Sequence, residues 1–105
     1  MAKKTKKPYR NHDEDFVSRL KEPAFAYEYL KAALEESDMP EVFMDALSQV
    51  AKAKGVREIS THTKLNRENL YKLLSKGGNP TLSSLYSILD ALGLKLSLEP
   101  KKKAI

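Results

Sequence analysis

The chain contains no cysteine, only two histidines and only four glycines. Without cysteine there is neither a disulfide framework nor a thiolate metal site. The histidines, His12 and His62, stand far apart in the sequence. No pair falls at ligand spacing, so neither a metal nor a cofactor is expected. No glycine-rich loop follows a strand. The longest apolar runs are a few residues, too short to span a bilayer. Lys3, Lys4, Lys6 and Lys7 are not followed by an apolar segment, so they do not open a secretory signal; a cytoplasmic protein is the expectation. The carboxylates have no apolar setting that would perturb their protonation, and Ser60 and Ser75 have no base to activate them. Catalysis is therefore not expected.

What is present is charge, in blocks. The 105 residues suit one domain with a modest core, and their net charge of +5 divides unevenly. Residues 1–10 carry +5, residues 11–45 carry −7 and residues 46–105 carry +7. Residues 1–15 read as a mobile polar arm that buries too little to order itself, and residues 101–105 as a frayed basic tail. Between them lie a helical extension, residues 16–37, and a main domain, residues 38–100.

Apolar spacing predicts an all-α fold of about five helices. Pro23 suits the first turn of a helix over residues 22–36, with Ala26, Tyr29, Leu30, Ala33 and Leu34 on one face. Phe16, Val17 and Leu20 before it suit a short turn or helix. Asp38 is read as the cap of the next helix, with Pro40 in its first turn and Glu41 reaching back. Phe43, Ala46, Leu47, Val50 and Ala51 make its buried stripe, and Gly55 its stop. Thr81 is read as the cap of a last helix over Leu82, Leu85, Ile88, Leu89 and Leu92, stopped by Gly93. Leu94, Leu96 and Leu98 then alternate with Lys95, Ser97 and Glu99. Period two predicts one C-terminal β-strand, ended by Pro100.

Residues 57–76 read as two short helices around a tight turn. Asn66 is the expected N-cap of the second, and Leu65, Leu70 and Leu73 are expected in the core. Its other face offers Arg67, Glu68, Asn69, Tyr71 and Lys72. These side chains suit base edges in a DNA major groove: Arg for guanine, Asn for adenine, Glu for cytosine. Lys64, Lys76, Gly77, Gly78 and Asn79 flank them as candidates for phosphate. A solvated charged face is the plainer reading, because short amphipathic helix pairs are common.

Residues 42–94 resemble the lambda-repressor-like, XRE-type helix-turn-helix domain. Phe43-Met-Asp-Ala-Leu-Ser-Gln-Val-Ala-Lys-Ala-Lys-Gly55, Asn66-Arg-Glu-Asn-Leu-Tyr-Lys72, Gly78-Asn-Pro80 and Leu92-Gly-Leu94 more specifically resemble the addiction-module antidote family, HigA-like antitoxins. Leu20-Lys-Glu-Pro23 and Tyr29-Leu30 with Ala33-Leu34 extend the likeness, so it covers about residues 16–98. Lys64 departs from it, standing in the turn where many XRE domains have Gly. The Thr61-His62-Thr63 run makes a short first helix the expectation. The resemblance implies a type II antitoxin that represses its own operon as a dimer on a palindromic operator. It also implies neutralisation of a small basic RelE/ParE-like toxin. A stand-alone phage-type repressor, or a toxin-binding protein with weak DNA binding, are the alternatives.

Such a toxin must bind RNA with a positive surface, which an acidic partner complements. Glu22, Glu28, Glu35 and Glu36, beside Tyr27 and Tyr29, are the candidate toxin-binding residues, the alternative being a helix that merely packs on the core with its acids solvated. The leucine strand has no partner within a helical chain. Leu94, Leu96 and Leu98 are therefore the expected homodimer interface, pairing antiparallel with a second copy; folding back as a loop on a monomer is the competing reading.

Overall fold

The computed structural model describes residues 12–101. Among these residues the chain forms six α-helices and no strand. A wide helical turn, His12–Phe16, leads into α1 (Val17–Leu20). Then follow α2 (Pro23–Glu36), α3 (Pro40–Lys54), α4 (Val56–Thr63), α5 (Arg67–Leu74) and α6 (Leu82–Ala91). The expected mobile arm falls largely on residues 1–11, and most of the basic tail on residues 102–105. Both stretches lie outside the described residues.

Two prolines set the N-termini of the long helices. Glu22 (φ −86°, ψ 126°) and Met39 (φ −90°, ψ 119°) are extended, as a residue before proline prefers. Pro23 and Pro40 then supply the first helical position, where a missing N–H costs nothing. This corrects the expected cap of α3. With Pro40 at the first position the cap must be Met39, and the Ser37 hydroxyl, not Asp38, accepts the Met39 N–H at 3.0 Å. Gly55 ends α3 with φ 114°.

The centre of the molecule is α3, which touches α1 and α2 on one side and α4 and α5 on the other. The most completely buried side chains are Leu47 and Val50 of α3, Ile59 of α4, Leu70 of α5 and Ile88 of α6. Each contributes on the order of 1.5–3 kcal/mol by burial. Ala26 and Leu30 of α2 and Leu20 of α1 extend this core into the N-terminal extension. There Phe16 packs edge-on against both Phe25 and Tyr29.

The expected C-terminal strand is not formed. Leu94 donates its N–H to the Leu89 carbonyl at 2.8 Å, closing the end of α6. The segment beyond it, including Leu96 and Leu98, joins no ladder with any described residue. A strand consists of hydrogen bonds to a neighbour, and a single copy of this segment has no neighbour of its own kind. Of the two expectations for residues 16–20, a short turn or a helix, the structure has a helix over Val17–Leu20, which makes six helices.

The turn between α4 and α5, residues 64–66, is closed mainly by side chains. Lys64 is left-handed (φ 68°, ψ 9°), and its N–H donates to the Ser60 carbonyl at 2.9 Å. The Ser60 hydroxyl donates to the Leu65 carbonyl at 2.7 Å, and the Leu65 N–H donates to the Thr63 hydroxyl at 3.1 Å. A left-handed conformation costs a residue with a Cβ about 1–2 kcal/mol, whereas glycine in its place adds about 0.5–1 kcal/mol of chain entropy to the unfolded state. Lys64→Gly is therefore expected to stabilise the fold by at most about 1.5 kcal/mol. The urea midpoint would show it, and a lowered midpoint would mean that Lys64 makes a contact outweighing its strain.

Candidate nucleic-acid interface

α5 is eight residues long, about 12 Å at 1.5 Å per residue. Its N-terminus is closed as the sequence suggests: the Asn66 side chain accepts the Asn69 N–H at 2.7 Å. Leu70 and Leu74 are buried beneath it. Of the apolar stripe Leu70, Leu73 and Leu74, the first and last are buried, while Leu73, and Leu65 before the helix, are only half-buried.

The opposite face is open. Arg67, Glu68, Asn69, Tyr71 and Lys72 are all exposed, and so are Lys64, Lys76, Gly77 and Asn79 around them. Among the described residues none of the four cations, Lys64, Arg67, Lys72 and Lys76, pairs with a carboxylate. Glu68 is the only acid between residues 64 and 79, and it does not hold Arg67 in an ion pair. The arrangement is a set of uncompensated positive charges, with amide and hydroxyl groups between them, on a helix fixed from behind.

The loop after α5 is tied to it. The Ser75 hydroxyl donates to the Lys72 carbonyl at 2.8 Å, and the Gly78 N–H donates to the Ser75 carbonyl at 2.8 Å. Gly78 lies so close to the last turn of α5 that a Cβ there would collide with the Leu73 carbonyl. Its N–H is used internally, whereas the N–H groups of Lys76, Gly77 and Asn79 have no partner among the described residues. The next helix is capped as expected, Thr81 accepting the Ser84 N–H at 3.1 Å. His62 and Asp90, 3.2 Å apart, bridge α4 to α6 at the surface.

Sequence reasoning missed Ser60 and Thr63, whose hydroxyls close the turn that aims α5. Hydroxyl side chains near a helix end compete for backbone groups, and the Ser60…Thr63 spacing before the break was the available signal.

The acidic candidates lie elsewhere, on α2. Glu22, Glu28, Glu35 and Glu36 are exposed, and Tyr27 is exposed with the Lys31 ammonium 5.5 Å from its ring centre. Tyr29 is turned inward: its hydroxyl donates to Gln49 of α3 at 2.8 Å, and its ring stacks edge-on with Phe16, centroids 5.0 Å apart. Burial pushes the Tyr29 hydroxyl above its ordinary pKa, the Gln49 hydrogen bond offsets part of this, and the Asp45 charge adds to it. Tyr29 thus joins α2 to α3, while the four glutamates face solvent.

Asn66→Ala is expected to cost about 0.5–2 kcal/mol, the usual loss of an N-cap. Chemical denaturation measures this directly. A loss below about 0.3 kcal/mol, the scale of a surface change, would show that the cap does not hold α5.

Over residues 11–100 the chain matches the family described as "Probable addiction module antidote protein". It is also 33% identical over 76 residues to an uncharacterized protein of Haemophilus influenzae strain Rd, covering 72% of this chain and 77% of the relative. No solved structure matches it. No helix among the described residues is long and apolar enough to cross a membrane. The family match over residues 11–100 of the 105 places the chain in the probable addiction module antidote family, whose members act against a cognate toxin.

Proposed function

We propose that this antidote is a sequence-specific DNA-binding repressor of its own operon, with α4, the turn and α5 as a helix-turn-helix. The observation that carries the reading is the exposed, uncompensated basic face of α5 above buried Leu70 and Leu74. An α-helix, about 10–12 Å across with its side chains, fits the B-DNA major groove, which is about 12 Å wide. Arg67, Glu68, Asn69, Tyr71 and Lys72 meet base edges. Lys64, Lys76, Asn79 and the Gly77 N–H hold flanking phosphates. Gly78 supports them by keeping the loop against α5.

The protein acts as a homodimer joined through Leu94, Leu96 and Leu98, which sets two α5 helices on the half-sites of a palindrome, about 34–36 Å apart or a multiple of that. Its toxin is a small basic protein of the RelE/ParE kind, held by the acidic side of the molecule. Residues 22–45 carry Glu22, Glu28, Glu35, Glu36, Asp38, Glu41 and Asp45, all exposed, with Lys31 as the one cation in that stretch. Charge complementarity of this kind steers association and excludes wrong partners.

Arg67→Ala should weaken binding to the DNA upstream of its own gene by about 1–3 kcal/mol and relax the preference at one base pair. Lys76→Ala should weaken every sequence alike and reduce the log–log salt slope by about one. Gel shifts at two salt concentrations separate the two effects. Binding unaffected by Arg67→Ala would remove α5 from the groove.

Glu28 and Glu35 stand seven residues apart on one exposed strip of α2. Reversing both to Lys should reduce rescue of growth from the cognate toxin while leaving DNA binding intact. Undiminished rescue would place the toxin on another surface.

A further inference from the structure

The groove between α2 and the last described segment of the chain is open on both counts that matter for association. Beyond Leu94, no backbone group of residues 95–100 has a hydrogen-bond partner among the described residues. The groove beside this free edge is lined by Leu30 and Phe43, with Tyr27 and Leu34 on its α2 side. Leu34 is 59% exposed and Leu98 97% exposed. An unpaired edge next to exposed apolar side chains is a template for another strand.

We propose that a second copy of this chain fills the groove, with residues 94–100 of the two copies running antiparallel in one register centred on Ser97. This rests on the homodimer reading above and specifies its geometry. In this register Lys95 stands opposite Glu99 of the second copy, Glu99 opposite its Lys95, and Leu96 opposite its Leu98. Side chains alternate between faces. The leucines of both copies therefore turn together toward α2, and the two opposite-charge pairs lie on the outer face, where cross-strand pairs of this kind are favourable.

The neighbouring registers are worse. A slip of one residue sets leucines opposite Lys95, Ser97 and Glu99, and moves the apolar set off its face. A slip of two in one direction sets Lys95 opposite Lys101, and in the other leaves Lys95 against Ser97 and Glu99 against Gly93. The centred register also ends cleanly. It places Pro100, which has no N–H, opposite Leu94, whose N–H is already given to the Leu89 carbonyl.

The test is a charge exchange in the full-length chain, followed by sedimentation equilibrium at micromolar concentration and low ionic strength, where surface charges are least screened. Lys95→Glu and Glu99→Lys each juxtapose like charges twice in the symmetric dimer. Both positions are exposed, and circular dichroism checks that each variant keeps its helices. Each variant alone should dimerise at least about tenfold more weakly than the unaltered chain, roughly the effect of 1.4 kcal/mol. An equimolar mixture should regain the affinity as a heterodimer, because it sets opposite charges together at both places. A dimer indifferent to the substitutions, or a mixture no tighter than either variant alone, overturns this register and leaves the homodimer reading standing. An unaltered chain that is monomeric under these conditions overturns both.

Discussion

An eight-residue helix has almost no stability of its own in water, since the cost of nucleation is spread over too few hydrogen bonds. α5 is such a helix. It exists because Leu70 and Leu74 are buried against the core and because Asn66 satisfies its first turn. Everything proposed for its outer face follows from that fixation from behind. Side chains on a fraying helix would lose orientation, and with it any advantage in reading a groove.

α3 makes the fixation possible. It contacts α1 and α2 on one side and α4 and α5 on the other, so it serves as the common wall of two differently charged regions. Residues 11–45 carry −7 and residues 46–105 carry +7. Placing the acidic helices across α3 from the basic face keeps opposite fields apart.

The spacing of the apolar residues Leu70, Ile88 and Leu89 and the capping chemistry of Asn66 and Thr81 were legible from local sequence, because both effects act within one or two helical turns. Asp38 does not cap α3 because Pro40 opens the helix one position later than a side chain there would serve; Met39 is the cap, and no side chain caps the first turn. The two-residue period of Leu94, Leu96 and Leu98 correctly marked a non-helical segment but not a strand, since a strand needs a neighbour that lies outside the pattern. The inward turn of Tyr29 agrees with its place on the apolar stripe of α2, but its partners Phe16 and Gln49 are set by which elements that stripe meets and could not be read from local spacing. The exposed cations of α5 were legible as residues; their lack of ion-pair partners required the three-dimensional arrangement.

Gly78 and Lys64 bracket α5 in a way that has a mechanical meaning. At one end the left-handed backbone of Lys64 fixes where the chain enters; at the other, the contact of Gly78 with the Leu73 carbonyl fixes where it leaves. Neither end can slide without breaking a hydrogen bond or creating a clash. The backbone positions of the cations at 64, 67, 72 and 76 therefore behave as marks on a ruler whose graduations are set by the main chain, so a surface that meets them must match that spacing rather than impose its own.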